Sequence, residues 1–286
     1  MDEGRFVFLM APKNSGTTIM SQYLAQQIDG YLPPYGNNEG QSAPSLRRMM
    51  RRGRWRADVD FDWTVIRREW TRLLSASGKS VFVEASPPNL MRAEAIEAEF
   101  GDAARFVVSI SSPYAHVASC VFNYRTPPAT PDLLRKIAAN WLDKAHRLDD
   151  LRRRRDAPFV GYADFCADPR ALNRALGAPA RPVAPLPGKR TSGRSEIVDM
   201  TPLNLSFLTE AELDAIGEAL SGEEALLARF GLKLKPGRAL LDAAAAHPAL
   251  AAEGRARRRG WENGEARIVE RRARMAAREE GRAPST

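Results

Sequence analysis

Cysteine is almost absent from this 286-residue chain: Cys120 and Cys166 are its two thiols. They offer neither a disulfide framework nor a CxxC metal spacing, and an isolated thiol is commonly buried filler. Histidine is nearly as scarce, and His116, His146 and His247 show no spacing that would hold a metal. No apolar run approaches the roughly 20 residues that a membrane span requires. The short apolar stretch at residues 6–10 lacks the length and cleavage site of a signal peptide. The chain is therefore expected to be unprocessed, soluble and cytoplasmic. Internal repeats are missing as well.

What is present suits a packed globular protein. Hydrophobic residues make up 44% of the chain and charged residues 27%, enough apolar surface for a full core without staples. The length allows one large catalytic domain with an appendage. The formal net charge is +8, and its location decides what it means. From residue 253 onward ten Arg and six acidic residues leave +4, so half the excess sits in an Ala/Arg/Glu-rich tail. Such a tail reads as a frayed or solvated helix, with an anionic partner as the other reading. No nucleic acid is implied; the remaining positive charge suits an anionic small molecule. The high Ala and Arg usage hints at a GC-rich bacterial source.

Along the chain, short apolar runs alternate with helical periodicity. Residues 5–11 (RFVFLMA) predict a strand, and residues 19–28 a helix with Ile19, Tyr23, Leu24 and Ile28 on one side. Residues 31–45, rich in Pro, Gly and Asn, predict a long irregular loop that is functional or mobile. A basic stretch at 47–56 precedes a helix at 61–74, a strand at 80–83, a helix at 93–100, a strand at 105–110 and a helix at about 114–124. A long helix at 132–154, a short strand at 158–162 and helices at 172–176 and 210–230 complete the pattern. Alternating strands and helices predict a three-layer α/β sandwich with a central parallel sheet. The domain is expected over residues 1–235, with residues 236–286 as a helical or partly disordered tail.

The segment with the most chemistry is residues 11–18 (APKNSGTT), between the first strand and the first helix. Exposed N–H groups and the helix dipole favour an anion there. Gly16 lets the backbone approach a phosphate, Thr17 and Thr18 add hydroxyls in the first turn, and Lys13 supplies a mobile cation. Ser15 and Asn14 complete the candidate set. The spacing mimics a P-loop, with Ala11 at its first Gly and Thr17 where its Lys would stand. A Mg²⁺-dependent kinase needs that Lys, so the loop suits a phosphate handled without a metal. The bland alternative is a Thr-capped helix after a turn.

PKNSGTT resembles the 5′-phosphosulfate loop of the sulfotransferases that use 3′-phosphoadenosine 5′-phosphosulfate (PAPS). Residues 83–92 (VEASPPNLMR) resemble the Glu-Lys-Ser-Pro strand end of the bacterial and heparan-type members. Residues 105–119 (RFVVSISSPYAHVAS) resemble their 3′-phosphate segment, and residues 159–169 (FVGYADFCADP) their Tyr-Glu-Asp-Leu-x-x-Asp-Pro stretch. The resemblance runs from about residue 5 to residue 232 and implies a P-loop-like sulfotransferase fold, with PAPS as donor, 3′,5′-ADP as product and no metal. By that resemblance Lys13 contacts the bridging oxygen and neutralises the leaving phosphate. Ser15, Gly16, Thr17 and Thr18 cradle the 5′-phosphate, and Ser119 holds the 3′-phosphate.

Two positions depart from the family pattern. Ser111 stands where the family has Arg, and Ala85 where it often has Lys. A neutral hydroxyl does not match the strength of an Arg fork on phosphate. Another cation is therefore expected to serve the 3′-phosphate: Arg125, two helical turns beyond Ser119, or Lys189, Arg190 and Arg194 in the loop PGKRTSGR. An ordinary solvated loop is the other reading of that segment.

Transfer to a hydroxyl acceptor also calls for a general base. Glu39 is the first candidate and Glu84 the second; Glu39 otherwise reads as a loop carboxylate and Glu84 as an ion-pair partner of Lys13 or Arg92. His116 lies near enough in sequence to the site to contact an acceptor, although a lone helical histidine is usually structural. Tyr31, Tyr35, Trp55 and Trp63 are candidates for a platform under a sugar or planar acceptor, and equally for core. Two rival functions stand beside the sulfotransferase: a P-loop kinase with Glu84 as its Mg²⁺-supporting acid, and a degenerate binding protein that has lost turnover.

Overall fold

The computed structural model describes residues 5–50, 53–125, 127–187 and 196–264. In chain order the elements are β1 (Arg5–Met10), α1 (Thr17–Gln27), α2 (Arg47–Met50), α3 (Trp63–Ser77), β2 (Val81–Glu84), α4 (Ala93–Phe100), β3 (Ala104–Val108), α5 (Pro113–Tyr124) and α6 (Pro131–Arg155). They continue as α7 (Tyr162–Ala167), α8 (Ala171–Leu176), α9 (Thr201–Leu205), α10 (Glu210–Ala219), α11 (Glu224–Arg229), α12 (Gly237–Ala245) and α13 (Pro248–Glu262). The chain divides into two compact units. The first comprises residues 1–111, 143–188 and 195–197, the second residues 112–142, 189–194 and 198–286.

The first unit carries a parallel three-stranded sheet in the order β2-β1-β3. The two-residue period of its strands sorts their side chains into two cores. Phe6, Phe8, Phe82 and Phe106 pack with Trp70 of α3 and Phe100 of α4, ring centroids 4.8 to 6.4 Å apart along the chain of contacts. Val7, Leu9, Val83 and Val107 pack on the opposite face with Met20, Tyr23 and Leu24 of α1, Phe165 of α7 and Leu172 of α8. Helices thus cover both faces, which is why β1 reads as an unbroken apolar run. Asp62 caps α3 by accepting from the Val65 N–H at 3.0 Å, so that helix starts at Trp63, two residues later than its apolar pattern.

Residues 158–162 were expected as a strand. They lie extended beside β3, with Val108 N–H donating to the Pro158 carbonyl and Val160 N–H to the Val108 carbonyl, yet form a single bridge. The ladder stops because α7 begins at Tyr162. On the other edge Tyr31 makes a similar bridge to Phe82.

In the second unit α9 packs against α5, α12 and α13. The helix expected across 210–230 is two, α10 and α11, separated by a turn at residues 220–223. Thr209 and Glu212 close a capping box at the start of α10. Thr209→Ala is expected to cost about 1 kcal/mol of stability in urea titration. The stretch expected as a helical or partly disordered tail is helical at residues 237–245 and 248–262. Ala251, Gly254 and Trp261 of α13 are buried, and Trp261 Nε1 donates to the Arg125 carbonyl at 3.0 Å. Arg258 pairs with Glu212 at 2.8 Å and with Glu262 at 2.7 Å. Small residues let a helix lie close to its neighbour, and one large aromatic anchors it; neither property registers in a count of Ala and Arg. Residues 265–286 lie outside the described residues.

Candidate phosphate site

The loop at residues 11–16 begins where β1 runs out of the sheet, with Ala11 buried. Asn14 and Gly16 hold left-handed backbone, φ 63° and 76°. Alternating left-handed residues turn successive N–H groups toward a common side, a geometry suited to an anion. Gly16 is the N-cap of α1, and no side chain caps that helix. Its first turn contains no acidic residue, so the dipole's positive end has no carboxylate of its own. The Tyr162 ring occupies the place a Cβ on Gly16 would take. Gly16→Ala is accordingly expected to lower stability by about 1–2 kcal/mol in thermal or urea unfolding, from left-handed strain and displacement of that ring.

Of the sequence candidates, Ser15 and Ser111 meet: their hydroxyls lie 3.0 Å apart in the buried floor beneath the loop. Ser111 comes there because β3 exits the sheet beside β1. Thr17 is buried, while Thr18 and Lys13 are half-buried. Lys13 Nζ lies 5.7 Å from the centroid of the Trp55 indole, which is 39% exposed. Trp63 is instead buried against Trp70, and Tyr31 packs on Phe82. Of the possible acceptor platform, Trp55 is the ring the structure brings to Lys13.

The two candidate bases differ sharply. Glu84, at the end of β2, is completely buried. Its Oε2 accepts from the Gly40 N–H at 2.7 Å, and its Oε1 from the Ser86 N–H at 2.7 Å and Asn89 Nδ2 at 2.9 Å. Burial pushes this carboxyl up to about 7 against those donors, and the neighbouring Glu39 charge pushes the same way. Gly40 is required at this spot, since a Cβ would strike both the carboxylate and the Trp70 indole. Trp70 Nε1 in turn donates to the Gly40 carbonyl at 3.1 Å. The loop read as functional or mobile is thus tied to β2, to α3 and, through Gln22 Nε2 and Asn38 Oδ1 at 2.9 Å, to α1. Glu39 is half-buried and pairs with Arg54 at 3.5 Å.

Arg92, the alternative partner for Glu84, is committed elsewhere: its guanidinium donates to the carbonyls of Gly53, Arg54, Arg56 and Val59 and lies 4.2 Å from the Phe61 ring centroid. Sequence reasoning missed Tyr162 and Lys144. The first stands in a segment carrying a family resemblance, and the second is a lysine on the apolar stripe of α6. Lys144 is 4% exposed, with Nζ 5.8 Å from the Trp55 centroid.

Ser119 and Arg125 belong to the second unit. Ser119 is half-buried on α5, its Oγ accepting from Asn123 Nδ2 at 3.2 Å; Arg125 follows the helix with its side chain exposed. His116 is buried on the same helix, Nε2 3.4 Å from Cys120 Sγ, a packed pair rather than a group facing solvent. His146 and His247 are exposed. Lys189, Arg190 and Arg194 lie outside the described residues. Among the described residues no group of three or more His, Cys, Asp or Glu side chains is placed to hold a metal ion, and no helix is long and apolar enough to cross a membrane.

No protein-family model and no curated protein matches the chain. Two solved structures do. A sulfotransferase from Alicyclobacillus acidocaldarius aligns over 83% of this chain and 100% of its own, at 16% identity and a TM-score of 0.51. The sulfotransferase domain of the curacin biosynthetic pathway aligns over 63% of this chain and 76% of its own, at 14% identity and a TM-score of 0.38. The mixed α/β fold of this chain, a parallel sheet flanked by helices, is therefore similar to that of a solved sulfotransferase.

Proposed function

We propose that this protein is a PAPS-dependent sulfotransferase with a P-loop-like donor site, acting on a hydroxyl of a sugar or small metabolite in the cytoplasm. The observation that carries the reading is the uncapped N-terminus of α1, reached through a left-handed turn with Lys13 beside it and the Ser15–Ser111 pair beneath it. Those features fit a 5′-phosphate: N–H donors, hydroxyls and one cation, with no acidic residue in the first helical turn to repel it. The fold shared with a solved sulfotransferase agrees.

In this reading Ser15, Gly16, Thr17 and Thr18 hold the 5′-phosphate, with Asn14 shaping the turn. The donor nucleotide supplies the sulfuryl group. The acceptor oxygen bonds to sulfur as the bond from sulfur to the bridging phosphate oxygen breaks, and that electron pair leaves with 3′,5′-ADP. Lys13 offsets the charge that develops on the leaving oxygen. Glu39 takes the acceptor's proton, since its carboxylate is partly open to water. Glu84 is assigned a positioning role, because both its oxygens are occupied and it is sealed from solvent. Ser119 and Arg125 are assigned to the 3′-phosphate, with Lys189, Arg190 and Arg194 as further cations.

Calorimetric titration with 3′,5′-ADP, ATP and ADP, each with and without Mg²⁺, tests the proposal. Metal-independent binding that prefers 3′,5′-ADP is expected. Tighter, Mg²⁺-dependent binding of ATP would establish a kinase instead, and tight 3′,5′-ADP binding without turnover of PAPS on any hydroxyl acceptor would indicate a binding protein.

A further inference from the structure

The segment at residues 53–59, between α2 and α3, is closed around one side chain. Arg92 is 6% exposed, and its Nε, Nη1 and Nη2 all donate to main-chain carbonyls of that segment. The carbonyls of Gly53, Arg54 and Val59 lie 2.8, 2.7 and 3.1 Å away, and that of Arg56 is a fourth partner. A buried guanidinium ordinarily meets a carboxylate. Here its rigid fork of donors fixes the places of four carbonyl oxygens, and with them the path of the backbone. Within the segment Arg56 N–H donates to the Gly53 carbonyl at 2.7 Å. Residues 55–58 are exposed, so apolar burial does little to hold them.

What this segment presents meets two groups of the proposed site. Arg54 Nη1 lies 3.5 Å from Glu39 Oε2, and the indole of the next residue, Trp55, has its centroid 5.7 Å from Lys13 Nζ. Adjacent residues of one clamped segment thus touch the proposed base and the cation proposed for the leaving oxygen. We infer that Arg92 is a positioning residue: by holding the backbone of residues 53–59 it sets Arg54 against Glu39 and Trp55 against Lys13, and so shapes the acceptor side of the site. This rests on the sulfotransferase reading. Arg92 acts through the segment and exchanges no proton or bond with the substrates.

The test compares the wild type with Arg92→Lys, Trp55→Ala and the double variant. Arg92→Lys keeps the charge, but its three donors radiate from one point and cannot span four carbonyls. It is expected to lower kcat/KM for the acceptor by about ten- to hundredfold, as a misplacement of about 1 Å does, and to weaken 3′,5′-ADP binding far less. Because Arg92 acts partly through Trp55, the losses in Arg92→Lys and Trp55→Ala should combine to less than their product. A second readout needs no turnover. Trp63, Trp70, Trp141 and Trp261 are buried, so the emission that acrylamide quenches readily belongs to Trp55 and disappears in Trp55→Ala. That quenching should increase in Arg92→Lys. Unchanged quenching and unchanged acceptor kinetics in folded Arg92→Lys overturn the inference, and so do losses that multiply. Equal losses for 3′,5′-ADP binding and for transfer, with a lower melting temperature, also overturn it by making Arg92 merely structural. If the wild type neither binds 3′,5′-ADP nor transfers from PAPS while quenching still increases in Arg92→Lys, the clamp on Trp55 stands and the sulfotransferase reading falls.

Discussion

Lys13→Ala is expected to reduce kcat/KM for sulfuryl transfer by about 10²- to 10³-fold, the range observed when a single preorganised donor to a developing oxyanion is removed. The reason is local. The loop around Lys13 offers neutral donors, namely N–H groups and the hydroxyls of Ser15, Thr17 and Thr18, and Ser111 adds another hydroxyl rather than a cation. In the proposed transfer, charge that develops on the leaving phosphate would therefore be met in this loop chiefly by the Lys13 ammonium. Its side chain is half-buried at the surface of the loop, so truncation leaves the fold intact. Steady-state rates with PAPS and an accepted hydroxyl, read beside melting curves, check this. A rate unaffected by the substitution, with the protein folded, would remove Lys13 from the chemistry.

The second large effect concerns pH. Glu84 has an ordinary carboxyl value of 4.5 in the unfolded chain and is held at about 7 in the fold, chiefly by burial. The folded protein therefore keeps a proton on this carboxyl through a window in which the unfolded chain has released it. Stability from this group is fully present below about 4.5, falls as pH rises toward 7, and is lower by a constant amount above it. The difference is roughly 3 kcal/mol. Glu84→Gln cannot titrate. Its NH₂ faces one of the three N–H donors that the carboxylate accepts from, so the variant starts about 1–3 kcal/mol less stable at low pH. The gap to the wild type is expected to narrow as pH rises from 4.5 to 7.5. Urea unfolding of both proteins at intervals across that range checks the slope; parallel curves would show that Glu84 does not titrate in the window.

Much of the first unit was legible one residue at a time. The run expected at residues 5–11 contains β1, Arg5–Met10, because alternate residues, Phe6 and Phe8 against Val7 and Leu9, fill cores on both faces of the sheet. The candidate loop follows from the strand before it, the apolar helical spacing after it and a glycine at position 16, where φ is 76°. Helix α4 lies at the residues its pattern predicts.

Other features had no local signature. The carboxylate of Glu84 looks like any strand-end acid until Gly40, 44 residues earlier, donates its N–H to it. Helices α12 and α13 lie in a stretch whose Ala- and Arg-rich composition predicts a helical or partly disordered tail, while α13 is anchored by Trp261, which reaches the Arg125 carbonyl 136 residues away. Lys144 stands between Ile137 and Leu151 on the apolar stripe of α6, and its place beside Trp55 appears only in the fold.

The order of strands and helices, the turn that exposes the first N–H groups of α1 and the cation beside them all come from periodicity and turn chemistry within a few neighbouring residues. Which carboxylate is sealed from water, which lysine shares a ring with Lys13 and which serine lies beneath Ser15 were decided by the tertiary structure. Desolvation and charge pairing are properties of the neighbours around a side chain, and here those neighbours arrive from distant parts of the chain.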